Sequence, residues 1–173
     1  EIVEEKETEE QQKDKHKRES LYLAHQYAND FFKSTLRNTD EGKSVGLTYF
    51  KKRGYQTKTI DDFELGYSPE KIDALSTKAK EDKYSLEPLY EAGLIKKNEK
   101  GTYDFFRGRV IFPIHNISGR IIGFGARTLR TDKKVAKYFN SPESEIYNKS
   151  QVLYGLYQGK NEIIKNDCCF LVE

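Results

Sequence analysis

The residues of this 173-residue chain whose types and spacing bear chemistry gather in one segment, 107–154, and the chemistry is that of holding anions. Between residues 101 and 151, nine bases (Arg107, Arg109, Arg120, Arg127, Arg130, Lys133, Lys134, Lys137 and Lys149) stand against four acids (Asp104, Asp132, Glu143 and Glu145), a local excess of five positive charges in a chain of net charge +2. A basic surface of this kind tracks phosphates, and Tyr138 with Asn140 would add ring stacking and contacts to sugars or base edges. Charge by itself fits an ordinary solvated face as well, since Lys and Arg are exposed in most proteins.

Other chemistries find fewer residues. His115 has no carboxylate or nucleophile set beside it in the sequence, so it reads as a surface group near a turn rather than a general base. Gly123-Phe124-Gly125 lacks the third glycine of a dinucleotide fingerprint and does not join a strand to a helix. Cys168 and Cys169 are adjacent, so strand alternation would turn them to opposite faces, and with three scattered histidines (His16, His25, His115) they assemble no four-ligand zinc pattern. A hard divalent ion needs clustered carboxylates, whereas Asp104 and Asp132 stand apart among cations, as local charge balance.

The elements that must position the basic residues are written in the hydrophobic pattern. β-Branched and aromatic residues fill 109–115 and 120–129 with turn chemistry at 116–119, which predicts an antiparallel hairpin. Alternation places Val110, Phe112 and Ile114 on one face of the first strand and Ile122, Phe124 and Ala126 on one face of the second, a pattern suited to packing on a core. The other face of the second strand carries Ile121, Gly123, Gly125 and Arg127, a strip free of side chains beside a fixed cation, where a polymer backbone could approach.

Upstream, Leu21, Ala24, Ala28, Phe31 and Leu36, with Phe32 beside them, predict an inward-facing helix that Ser20 would cap. A second helix is expected over 41–53, begun by Thr39 or Asp40, weakened by Gly42 and Gly46, and stopped by Gly54; its end, Lys51, Lys52 and Arg53, suits a helix carboxyl terminus as well as a phosphate contact. Residues 61–68 read as a connector plugged by Phe63 and Tyr67. Ser68-Pro69-Glu70 opens a helix that buries Ile72, Leu75 and Ala79, and Ser85 caps another over 86–92 that Gly93 ends. Residues 98–101 form a turn into the hairpin region. The last helix spans 151–165 with Leu156, Ile163 and Ile164 inward, and a buried strand follows at 168–172.

Three motifs, RVIFPIHNISGRIIGFGAR, KYFNSPES and NKSQVLYGLYQ, occur in an order and spacing that resemble bacterial replicative DNA primases of the DnaG type. The resemblance continues upstream through YFKKRGYQTKTIDDFELGYSP and AGLI, and covers about residues 20–173. It implies the amino-terminal part of the RNA-polymerising core that precedes the Toprim fold, an α+β subdomain with a mainly antiparallel sheet and flanking helices. Residues 1–20 would be a charged linker or helix extension. Residues 21–166 would be the subdomain, with helices in 21–97 and the sheet and basic groove in 101–150, and 167–173 the first strand of a truncated Toprim domain.

By the same resemblance, Arg107, Arg109, Arg127, Lys137, Tyr138, Asn140 and Lys149 line a nucleic-acid groove, and Glu173 is a catalytic residue that begins the carboxylate cluster of a Mg or Mn site. Zinc would belong to a separate amino-terminal module. The implied partners are single-stranded DNA template, RNA:DNA hybrid, nucleoside triphosphates, and a replicative helicase reached through another domain. A non-enzymatic single-strand binding module and the primase part of a phage-type primase-helicase are the alternative readings. One departure stands out: many members of the family have Arg where this chain has Phe105 in YDFFRGR, so a phosphate contact is either weakened or replaced by base stacking.

Composition sets the bounds. Hydrophobic residues make up 36%, with 12 Tyr and 10 Phe, enough for one compact core. The first twenty residues carry eight acids against five bases with no Gly or Pro, as a solvated segment would. No signal core and no membrane-length apolar run occurs, which predicts a soluble, cytoplasmic protein. The absence of Met, even at position 1, and the apolar run CCFLVE at the end predict an excerpt of a longer protein.

Overall fold

The computed structural model describes residues 8–130 and 136–172. Helix α1 (Glu9–Asn38) begins twelve residues before the expected Leu21, because Thr8 and Gln11 form a capping box in which each side chain accepts from the other's backbone N–H. Ser20 is therefore interior to the helix, not its cap. Two ion pairs tie the charged first turns to the body, Lys17 with Glu145 and Arg120 with Glu19, the latter at 2.6 Å. The buried stripe is Leu21, Ala24, His25, Ala28, Asn29, Phe32, Thr35 and Leu36, so Phe32 rather than Phe31 enters the core. Steps of three and four residues select it.

Thr39 then caps a π-helical turn (Gly42–Leu47), its hydroxyl accepting from the Gly42 N–H at 2.9 Å, and the turn runs into helix α2 (Thr48–Lys52), which Gly54 ends at φ +81°. The two glycines that weaken this helix in isolation are required by its packing. A Cβ on Gly42 would lie 1.9 Å from the Thr35 carbonyl oxygen, and one on Gly46 2.6 Å from Leu36 Cδ1. Helix α3 (Thr57–Asp62) leads to β1 (Gly66–Ser68), so the expected connector contains a strand with Tyr67 buried in it.

Helix α4 (Ala74–Glu81) starts later than Ser68 would have capped it, and Ile72 is 51% exposed while Leu75, Ser76 and Ala79 are buried. Its cap comes from a distant strand: the Asp104 carboxylate accepts from Leu75 N at 2.6 Å and Ser76 N at 3.3 Å. Asp104 is thus buried structure and not surface charge balance, and burial pushes its carboxyl up to about 6 against the pull of those two N–H groups. Helix α5 (Glu87–Glu91) follows Ser85 and stops at Gly93, φ +68°. Strands β2 (Ile95–Asn98) and β3 (Gly101–Asp104) form a small hairpin of their own where only a turn was expected.

Strands β4 (Arg109–His115) and β5 (Ile121–Thr128) form the expected hairpin, closed by Asn116, whose Oδ1 accepts from Ser118 N, Ser118 Oγ and Arg120 N. With β6 (Tyr138–Asn140) the main sheet has the order β1-β4-β5-β6, antiparallel at every pairing, so the fold is α+β with a mainly antiparallel sheet and flanking helices. Helix α6 (Leu156–Asn166) begins after Gly155 at φ +82°; none of its residues is buried and Ile164 is 79% exposed, against the inward stripe expected. Residues 168–172 form no strand, since a strand needs a paired neighbour and none of the described residues provides one.

Both faces of the main sheet are covered. One packs Ile111, Ile122, Phe124 and Ala126 against Leu21, Ala28 and Phe32 of α1, and the other packs Val110 against Leu36, Phe50, Leu65 and Tyr67. The register explains the split: Val110 pairs with Arg127 and Phe112 with Gly125, while Ile111 pairs with Ala126 and Pro113 with Phe124. Partners across a ladder share a face, so Val110 and Phe112 lie opposite to Phe124 and Ala126 rather than in one core with them.

Candidate nucleic-acid interface

The pairing of β5 with β6 decides which of the basic and aromatic residues meet. Arg127 stands beside Tyr138 and Gly125 beside Asn140, whereas Phe139 pairs with Ala126 and turns to the other face. The sheet therefore divides the four expected residues that lie on its strands: Arg127, Tyr138 and Asn140 on one face, Arg109 on the other.

On the first face the guanidinium of Arg127 is flanked by two rings, its Cζ 5.0 Å from the centre of Tyr49 and 5.7 Å from that of Tyr138, and its Nη1 donates to the Tyr49 hydroxyl. Lys137 Nζ lies 5.7 Å from the Tyr138 ring and Arg53 Cζ 6.0 Å from that of Tyr49. Cations and rings thus alternate from Arg53 through Tyr49, Arg127 and Tyr138 to Lys137. Each exposed cation–ring contact contributes only about 0.5–1 kcal/mol, so the row orders these side chains more than it stabilises the fold. Tyr138 keeps 62% of its surface open to solvent.

Beside this row is a groove of about 280 Å³ whose lining includes Phe112, Gly125, Asn140, Tyr147, Lys149 and Tyr154. Gly125 is its open floor, for an added Cβ would make only ordinary contact, 3.5 Å from Asn140 Oδ1. Gly123 is not part of it: Tyr147 and Ser141 stand 3.3 Å from where its Cβ would be, and Ser141 Oγ accepts from Phe124 N. The side-chain-free strip is therefore one residue long rather than two. Asn148 presents Lys149 by capping a 3-10 turn (Lys149–Gln151), its side chain accepting from Ser150 N.

On the second face Arg109 is 3% exposed, its Cζ 4.0 Å over Phe139 and its Nη1 donating to the Ala136 carbonyl at 3.0 Å. The side chain expected at the surface is a buried structural cation. Arg107 is exposed and opens on a second concavity of about 360 Å³ with Arg109, Arg130, Phe105 and Phe139. Phe105 stacks on Phe139 at 5.6 Å and carries the Lys96 ammonium 4.4 Å from its ring, so its flat faces are engaged within the protein.

His115, expected at the surface, is buried between two partners, with Nε2 3.2 Å from Glu64 Oε1 and Nδ1 3.0 Å from Gln158 Nε2. Glu64 also receives Lys33 at 2.6 Å and Asn29 at 3.1 Å, and the His115 bond, followed by Lys33, holds its carboxyl down to about 2. The cluster anchors the start of α6 to the sheet and to α1, which accounts for the histidine without a catalytic role.

Tyr49 went unrecognised in the sequence as part of this surface, whereas Arg53 reads there equally as a helix-terminal charge and as a phosphate contact. Gly54 fixed where α2 ends, but nothing local shows which side of a five-residue helix faces a strand far along the chain. Among the described residues no group of three or more His, Cys, Asp or Glu could hold a metal ion. Glu173 lies outside the described residues, as do Asp132, Lys133 and Lys134. No described helix is long and apolar enough to cross a membrane.

A family model for the DNA primase catalytic core, N-terminal domain, matches residues 31–160. A DNA primase of Halalkalibacterium halodurans is 41% identical over 157 residues, 90% of this chain and 26% of that protein. A DNA primase of Salmonella typhimurium is 38% identical over 148 residues, 85% of this chain and 25% of that protein. The chain thus spans about a quarter of the length of these curated relatives. Among solved structures, the RNA polymerase domain of Mycobacterium tuberculosis primase DnaG matches with a TM-score of 0.78 at 32% identity, covering 86% of this chain and 48% of that one. A DnaG primase catalytic domain bound to ssDNA matches with a TM-score of 0.75 at 36% identity, covering 85% and 46%.

Proposed function

The chain belongs to the family of DNA primase catalytic core N-terminal domains, and from that membership we propose that it is the template-holding part of a DNA-directed RNA polymerase that lays short RNA primers on single-stranded DNA. The observation that carries this reading is the Gly125 groove, with Asn140 and Lys149 at its edge and the row from Lys137 to Arg53 beside it. A strand backbone would cross the bare floor, its phosphates meeting Lys149, Lys137 and Arg127 while Tyr138 offers an exposed ring and Asn140 a sugar or base-edge contact. Arg107 would extend the basic surface onto the second concavity, and Arg109 would act through Phe139 rather than by touching the strand.

The roles of these residues are to bind and orient. Nucleotidyl transfer requires divalent ions held by clustered carboxylates, and the described residues do not fit such a site. Glu173 is therefore assigned to a Mg or Mn site on family resemblance alone, with residues 21–166 as the binding subdomain and 167–173 as the start of a following Toprim fold. Nucleoside triphosphates, an RNA:DNA hybrid and the replicative helicase are the corresponding partners of the intact enzyme, acting in the cytoplasm. The curated relatives are DNA primases, which disfavours a non-enzymatic binding module.

The test is fluorescence anisotropy of a labelled single-stranded oligonucleotide across a series of salt concentrations. Neutralising roughly three to five phosphates gives a slope of log K against log salt of about −2 to −3.5. A flat response would overturn the groove.

A further inference from the structure

We propose that Tyr49 is a positioning residue for the template strand, holding the Arg127 guanidinium in place to meet a backbone phosphate. The inference rests on the groove described above being the template site. Within the Arg127 guanidinium, Nη1 gives one hydrogen to the Tyr49 hydroxyl and Nε is buried without a partner, which leaves Nη2 and the second Nη1 hydrogen to meet an incoming ligand. A guanidinium tethered in this way and flanked by the rings of Tyr49 and Tyr138 presents its outer edge in one orientation, from which it can hold a phosphate oxygen. A contact to phosphate carries no sequence information, as a template-holding surface requires.

Tyr49 is well placed to hold this geometry. Its neighbour Phe50 is fully buried in the second core, in edge contact with the Tyr49 ring at 5.5 Å, and α2 is pressed onto the body through the close approach of Gly42 and Gly46 to α1. The hydroxyl thus comes from a fixed helix and not from a mobile loop tip. Tyr49→Phe removes one oxygen and keeps the ring.

The experiment is the salt dependence of single-stranded DNA binding by the 173-residue chain, its Tyr49→Phe and Arg127→Ala variants, and the double variant. Loss of one phosphate contact lowers the slope by about 0.7. The expected result is that Tyr49→Phe lowers it as much as Arg127→Ala does, that the double variant loses no more than either, and that melting temperatures are unchanged. If Tyr49→Phe instead lowers the melting temperature, the same point is read in an Arg127→Lys background, where adding Tyr49→Phe should leave the slope where it was. A wild-type slope retained by Tyr49→Phe, or losses that add in the double variant, would overturn the positioning role while leaving the groove intact. No salt dependence in the wild type would remove the groove and this inference together.

Discussion

Gly125 and Asn140 face each other across β5 and β6, and the space above the glycine is bounded at 3.5 Å by the Asn140 side-chain oxygen. The depth of the groove is therefore set by one absent side chain. Gly125→Ala should fold, and by relieving the conformational cost of a strand glycine it should stabilise by up to about 1 kcal/mol. Gly125→Val should fold as well but fill the floor and sharply weaken oligonucleotide binding. Thermal melts alongside anisotropy check both, and a valine variant with undiminished affinity would move the strand elsewhere.

The two lysines and the buried arginine should behave oppositely. Lys137→Ala and Lys149→Ala, both at exposed positions, should weaken binding while changing stability by less than about 0.5 kcal/mol. Arg109→Ala strips a cation from Phe139 and a donor from the Ala136 carbonyl, and should cost about 1–3 kcal/mol. Phe124→Ala, at a fully buried position in contact with Phe32 and Phe106, should cost about 3–5 kcal/mol. Urea titrations followed by circular dichroism separate these classes.

Two buried titrating groups pull the acid stability in opposite directions. His25 is depressed to about 4 by burial, so its contribution is present above the ordinary histidine value and is lost as pH falls towards 4. Asp104 is raised to about 6, so its contribution is present below the ordinary carboxylate value and is lost as pH rises through 6. Each swing is about 3 kcal/mol at 1.36 kcal/mol per unit. Between about pH 4 and 6 they offset, and wild-type stability should be nearly flat. Asp104→Asn should uncover a rise with pH over that window, and a melt series that stays flat in the variant would contradict the His25 part.

Catalysis should depend on residues outside the groove. Without a carboxylate cluster among the described residues, the 173-residue chain alone is expected to make no RNA primer on any template with Mg or Mn. In the intact protein Glu173→Gln should abolish primer synthesis and leave single-stranded DNA affinity unchanged. Loss of both would mean that the glutamate supports the fold.

What was legible in the sequence is what repeats locally. The β4–β5 hairpin declared itself through period-two alternation and the Asn116–Gly119 turn, and the helical stripe of α1 through its apolar spacing. Strands β1, β2 and β3 are three or four residues long, too short for a period to register, and Tyr67 gives no sign that its neighbours pair with β4. The α1 start was visible as Thr8 and Gln11 but lay inside an acidic run that reads equally as solvated coil. In the site, charge and motif singled out candidate cations, while the register that sends Arg109 and Arg127 to opposite faces is a property of pairing. Tyr49 lies 78 residues before Arg127, and only the packing of α2 joins them.

The tight seam between α1 and the π-helical turn has a genetic reading. Any side chain at position 42 must displace the Thr35 carbonyl, and the helix that carries Tyr49 would shift with it. A random screen for alleles that lose template binding should therefore recover changes at Gly42 and Gly46 together with the surface cations. Those alleles act without any need for a change of charge and lie away from the groove, so a map of the interface drawn from the screen alone would extend too far around the molecule.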